Sequence, residues 1–187
     1  MIVNWKKCLK NLKNCVKSNL QTITQYDIIR VRKGVLSMAN YTAQQIADWF
    51  LTYNQLYVID EEAEMISNLK LQKLLYYAQG TYLGIKGEKL FDDPILAWKH
   101  GPVVETIYYK YKSNGCKGIP AENIDVPDID PETKSILKSV YETFGQFSAW
   151  KLRDMTHEET PWQKTVQSEV IDTNLIKDYF LENYIEA

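Results

Sequence analysis

Leu69-Lys-Leu-Gln-Lys-Leu-Leu-Tyr-Tyr-Ala-Gln79 is the stretch whose reading decides the fold. Leu71, Leu74, Leu75 and Ala78 recur at helical spacing, and Leu83 continues the stripe. The spacing predicts an amphipathic helix that starts near Ser67, buries its leucines and stops at Gly84. Lys70, Lys73 and Tyr77 lie off the leucine face, where they would contribute to a binding surface. Tyr76-Tyr77 beside Gln79 adds aromatic area with polar ends, a combination suited to interfaces.

The chain on either side is well punctuated. Thr42-Ala-Gln-Gln45 has the form of a capping box and precedes Ile46, Ala47, Phe50 and Leu51 at helical spacing. Downstream, Ile85 to Trp98 contains Gly87, Asp92-Asp93-Pro94 and the alternation Ile95-Leu96-Ala97-Trp98, which predicts a short β-hairpin or ribbon. Pro102 suits the first turn of a third helix carrying Val103, Ile107 and Tyr111 on one face, ended by Asn114-Gly115. Residues 113–130 read as a long surface loop. Asp130-Pro131 starts a helix through Ile136, Leu137, Val140, Tyr141 and Phe144 to Gly145. Ser148 caps a short helix ending near Met155. Thr160-Pro-Trp-Gln163 places Thr at a cap and Pro at the first helical position. Asp172 caps a last helix with Leu175, Ile176, Tyr179, Phe180 and Tyr184 on its apolar side. The expected fold is mainly α, a compact single helical domain with a small β-hairpin or ribbon.

Two further segments carry chemistry. In Trp98-Lys99-His100-Gly101-Pro102, Gly101 permits a tight bend and Pro102 fixes φ. His100 reads either as a structural residue bonded across the corner or as a functional one at the third helix's N-terminus, where a neutral donor–acceptor role is favoured. In Thr156-His157-Glu158-Glu159-Thr160-Pro161-Trp162, one histidine and two acids are a superficial metal signature. Adjacent acids lack the i, i+4 ligand spacing, so the favoured role is a joint between two helices with Trp162 as its core anchor. No metal or cofactor is expected.

Taken together with Ala97–Val104 and Met155–Trp162, the Leu69–Gln79 segment resembles the Panacea domain, the antitoxin family of SocA-like and phage-associated GepA-like proteins. The resemblance runs from about Tyr41 to Trp162. It implies an antitoxin, often borne on prophages or mobile elements, that neutralises a cognate toxin, usually encoded adjacently, by direct protein binding. Delivery of that partner to a protease is a second implied route. Lys73, Tyr77, Trp98, His100, His157 and Trp162 are the signature residues, for partner binding or family structure, with no chemical step assigned. Thr160 before Pro161 departs from the acid that the family pattern usually places close to Pro-Trp.

Composition bounds the alternatives. The chain has 187 residues, 45% hydrophobic and 25% charged, enough for one domain with a sizeable core. No apolar run approaches the roughly 18–20 residues of a membrane helix. Cys8, Cys15 and Cys116 are odd in number and widely spaced, which reads as a reducing, cytoplasmic setting. Of 22 Lys/Arg and 24 Asp/Glu, residues 1–37 hold eight basic and one acidic residue, a balance of +7 that leaves −9 for the remainder. A basic arm for nucleic acid is one reading of that segment. The preferred reading is a translated upstream region or disordered extension, with 38–187 as the domain, because Lys33-Gly34-Val35 can be encoded as a ribosome-binding sequence just before Met38.

Nucleic-acid binding by residues 38–187 is not expected from their acidic balance, although Lys110, Lys112 and Lys117 form a local cluster. A chain with 13 Tyr and 5 Trp, all but Tyr26 and Trp5 within the acidic residues 38–187, suits contact with a basic toxin or mimicry of the nucleic acid a toxin attacks. A phage accessory protein that binds a host factor is the alternative. A small enzyme is the other, with His100 or His157 paired to Asp154 as its acid–base couple. No phosphate loop, Gly-x-Ser-x-Gly or zinc signature supports an enzyme, and Cys116 has no partner motif.

Overall fold

A computed structural model describes residues 41–59 and 63–185. The basic segment 1–37 and its proposed junction at Met38 lie outside the described residues. The described chain contains seven α-helices and one two-stranded sheet: α1 (Ala43–Ile59), α2 (Asn68–Lys86), β1 (Ile95–Trp98), β2 (Gly101–Val104), α3 (Glu105–Tyr111), α4 (Pro131–Phe144), α5 (Ala149–His157), α6 (Thr160–Gln163) and α7 (Thr173–Asn183). The mainly helical class with a small β element is what the sequence led us to expect. None of the described helices is long and apolar enough to cross a membrane.

Helix α2 is the axis, touched by α1, α3, α4, α5, α7 and β2. Every residue from Leu71 to Leu83 is buried. A helix covered on all sides has no solvent face for its polar residues, which then depend on internal partners; Gln72 and Gln79 have them, and among the described residues the Thr81 hydroxyl does not. Gln79 accepts from the amides of Leu90 and Phe91 and donates to the Phe91 carbonyl. Gln72 accepts from the Val104 amide at 2.8 Å and donates to Asn68, whose amide reaches the Tyr108 carbonyl. These long polar side chains replace missing main-chain partners of the segments packed around α2.

Helix starts follow the capping residues read from the sequence. Ser67, Asp130, Ser148 and Asp172 each accept from an amide of the first turn of α2, α4, α5 and α7. Thr42 and Gln45 exchange the reciprocal bonds of a capping box. The stop of α2 differs from expectation. Its C-cap is Gly87, with φ 73°, while Gly84 lies inside the helix, where an added Cβ would strike Ile185. Gly80, one turn earlier, is likewise pressed by the Phe180 ring, so the two glycines let α7 approach α2 closely.

The β element also shifts. The strands pair antiparallel with Ile95 opposite Val104 and Trp98 opposite Gly101, leaving Lys99-His100 as the turn. Pro102 therefore sits in β2, not in the first turn of a helix, and α3 begins at Glu105. Burial explains the outcome, since all four β2 residues are buried against α2 and Gln72 holds the Val104 amide. The free edge of β1 is occupied in turn, by main-chain bonds between Ala97 and residues 168 and 169 and from the Ile171 amide to Ile95. The expected loop 113–130 begins with a 3-10 turn (Lys112–Asn114) and is tethered by the Ile119 amide to the Ile66 carbonyl.

Candidate protein-contact site

The three sequence motifs meet at the β1–β2 turn. From α2, buried Lys73 donates from Nζ to the Pro102 carbonyl at 2.8 Å. Gly101 has φ 91°, and a Cβ there would lie 2.6 Å from Thr156 Oγ1 and 2.8 Å from Lys73 Nζ. Only glycine fits both that backbone and that space. From the third motif, Trp162 donates its indole N–H to the Trp98 carbonyl at 2.9 Å, and His157 stacks on Trp162 with ring centres 3.8 Å apart. The turn is thus clamped from below by a lysine and from the side by a tryptophan.

Burial decides which of these residues can face a partner. Lys73 and Tyr77 are at most 1% exposed, so neither lies on an open surface; the single-stripe reading of α2 fails because neighbours cover its other faces. Trp98, His157 and Trp162 are half-buried, and His100 is exposed. His100 belongs to the hairpin turn, not to a helix N-terminus. It meets Trp150 edge to face at 5.8 Å, and Trp150, at 61% exposure, is the largest exposed aromatic near the turn. Trp98 and Tyr108 make a second edge-to-face pair at 5.0 Å. These residues surround a groove of about 540 Å³ whose floor includes Gln72 and Lys73 and whose wall includes Ser168, a non-glycine residue with φ 73°.

Tyr77 belongs to a different arrangement. The Glu159 carboxylate, 2% exposed, accepts hydroxyl bonds from Tyr76 at 2.7 Å, Tyr77 at 2.9 Å and Tyr184 at 2.7 Å. Burial pushes its pKa up to about 7, against the lowering effect of those three donors. Glu159, not Thr160, is the N-cap residue of α6, and Thr160 with Pro161 starts the helix. The cap expectation fails because Glu159 is anchored inward by its tyrosines, which fixes where the helical turn begins. Tyr77 also stacks on Phe144 at 3.8 Å.

Electrostatics at the turn follow from burial. Desolvation, aided by the nearby Arg153 charge, lowers the Lys73 ammonium to about 7. Burial and the charges of Arg153 and Lys73 also lower His157, favouring the neutral ring that stacks on Trp162. Asp154 accepts from Arg153 at 2.7 Å, and its charge acts on His157 in the opposite, raising direction. Among the described residues no group of three or more His, Cys, Asp or Glu is placed to hold a metal, and Cys116 is a free, exposed thiol.

Sequence reasoning missed Trp150, Gln72, Glu159 and Tyr184. Trp150 stands just after Ser148, in a helix read only for its length. Glu159 follows Glu158 and has the look of a solvated charge run. The available signal was the Tyr76-Tyr77 pair within an apolar helix, since two buried hydroxyls need an acceptor.

Residues 71–163 match the family described as Antitoxin SocA-like, Panacea domain, a span from α2 through α6 that contains the turn and both of its clamps. It starts later than the resemblance read from Tyr41. Antitoxin SocA of Caulobacter vibrioides (strain NA1000 / CB15N) is 37% identical over 109 residues, covering 52% of this chain and 58% of that protein. No solved structure matches. Through residues 71–163, with the clamped turn at their centre, this chain belongs to the SocA-like Panacea family.

Proposed function

We propose that this protein is an antitoxin that neutralises a partner toxin by direct protein–protein contact, and that the contact is made at the groove beside the β1–β2 turn. Family membership supports the antitoxin role. The observation that carries the contact site is Trp150, which is 61% exposed, packs edge to face on His100 and lines the same groove as Trp98. An exposed tryptophan beside a half-buried one, in a groove on a rigid frame, is the kind of residue that anchors protein interfaces. Within the signature, Trp98 and His100 are the residues that meet the partner. Lys73, His157 and Trp162 position them, and Tyr77 holds the core through Glu159. The setting is the reducing cytoplasm read from the cysteines, and the partner is a toxin encoded nearby.

Co-expression of the full chain with each protein encoded beside it tests this reading. The expected result is a neighbour that arrests growth alone, is neutralised by this chain and co-purifies with it. Trp150→Ala should abolish rescue while leaving the thermal transition of the free protein unchanged. Rescue without a complex, or rescue untouched by Trp150→Ala combined with His100→Ala, would remove direct neutralisation through this groove.

A further inference from the structure

The charge of the groove is opposite to that of the domain around it. Residues 38–187 carry a balance of −9, yet the groove is lined by Lys99, His100 and Lys112, with Lys73 in its floor, and among the described residues by no aspartate or glutamate. Lys99 and Lys112 are exposed, and among the described residues no carboxylate forms an ion pair with either. Lys112 is held in place, with its Nζ 4.9 Å from the centre of the Tyr109 ring. The apolar part of the same groove is Trp98, Tyr108 and Trp150.

Resting on the antitoxin reading, we infer that the groove takes a short acidic segment of the partner protein, its carboxylates meeting Lys99, Lys112 and the His100 ring N–H while an apolar side chain packs on Trp98 and Trp150. A volume of about 540 Å³ is that of a site for a few side chains, not for a whole domain face. Net charge alone points to a basic toxin. The groove separates the two scales: the overall field acts at long range on encounter, whereas the local lysines select what docks. A polyphosphate chain is disfavoured here, because the net balance of −9 over residues 38–187 repels a long polyanion.

Selection from a random short-peptide display library on the full chain, followed by titration of the enriched peptides, tests the inference. Enriched sequences should combine acidic residues with an aromatic or large aliphatic one and should bind more weakly as salt rises. Lys99→Glu combined with Lys112→Glu should weaken them about tenfold, Trp150→Ala should do the same, and Lys138→Glu on the exposed side of α4 should change nothing. Basic or uncharged enriched peptides, or acidic ones indifferent to the Lys99 and Lys112 reversal, would overturn it. So would a single-stranded RNA oligonucleotide that binds and is lost on the same reversal while acidic peptides fail. Growth rescue separates the two readings. Rescue that survives the lysine reversal overturns the acidic-segment inference and leaves the antitoxin reading intact. A neighbour that is never toxic removes the antitoxin reading, while acidic peptides lost on reversal would still identify the occupant of the groove.

Discussion

Trp162 and Trp98 lie 64 residues apart in sequence and share one hydrogen bond, 2.9 Å from the Trp162 indole nitrogen to the Trp98 carbonyl. That bond turns the third motif into a brace for the second. The hairpin turn is then fixed from two directions, by Trp162 and by Lys73, while the side chains it presents remain free to meet another molecule.

Trp162→Phe keeps most of the stack on His157 but removes the indole donor. The expected loss is about 1–2 kcal/mol in urea unfolding, from the bond itself and from a carbonyl left without its partner. Trp98 near-ultraviolet dichroism should change with it. An unchanged unfolding midpoint would show that Trp162 does not brace the turn.

Glu159 makes stability fall as pH rises. Its carboxyl has a pKa of about 7 in the fold against an ordinary value of 4.5, so between those values the folded protein holds a proton that the unfolded chain has released. The contribution is complete below pH 4.5 and is lost by pH 7, a difference of roughly 3 kcal/mol. Glu159→Gln should therefore gain on the wild type across that window, measured as paired urea midpoints. Equal pH dependence in both proteins would contradict the burial of this carboxyl.

Lys73 acts in the opposite direction on the other side of neutrality. Its folded pKa of about 7 lies below the ordinary 10.5, so between those values the unfolded chain binds the extra proton and stability rises with pH. Lys73→Met should lose ground to the wild type above pH 7, by at most about 1.4 kcal/mol per pH unit. A constant gap between the two proteins would mean that Lys73 stays charged in the fold.

Gly101 and Gly115 both have positive φ, at 91° and 58°, but only Gly101 is crowded. Gly115→Ala should cost about 1 kcal/mol, the backbone penalty alone. Gly101→Ala must also displace Thr156 and Lys73, and should cost at least about 2 kcal/mol more. Comparable thermal shifts for the two variants would show that the space beneath the turn is open.

Local chemistry was the legible part of the sequence. The caps Ser67, Asp130, Ser148 and Asp172 could be read because each acts within one turn of its own position. What escaped depends on distant partners. Pro102 has the credentials of a helix start, but β1 and Gln72 hold its segment as a strand. Lys73 and Tyr77 look exposed on a helical wheel, and only the packing of β2, α4 and α7 around α2 shows that they are not. Of the candidate site, the framework residues were visible as motifs. Trp150 was not, since its importance comes from an edge-to-face neighbour 50 positions earlier, His100.

The buried α2 helix has a consequence for the order in which this protein can be made. Its cover comes from α1 upstream and from α4, α5 and α7 downstream, and the third hydroxyl on Glu159 is supplied by Tyr184. A nascent chain that has reached α5 still lacks the ring of Phe180 over Gly80 and the last donor to Glu159. α7 must therefore leave the ribosome before the middle of the domain can close, and until then an apolar, half-covered α2 is open to proteases and chaperones. Readiness waits on the emergence of α7 rather than building up along the domain, so the time needed to complete and dock α7 sets the delay between synthesis and a usable binding face.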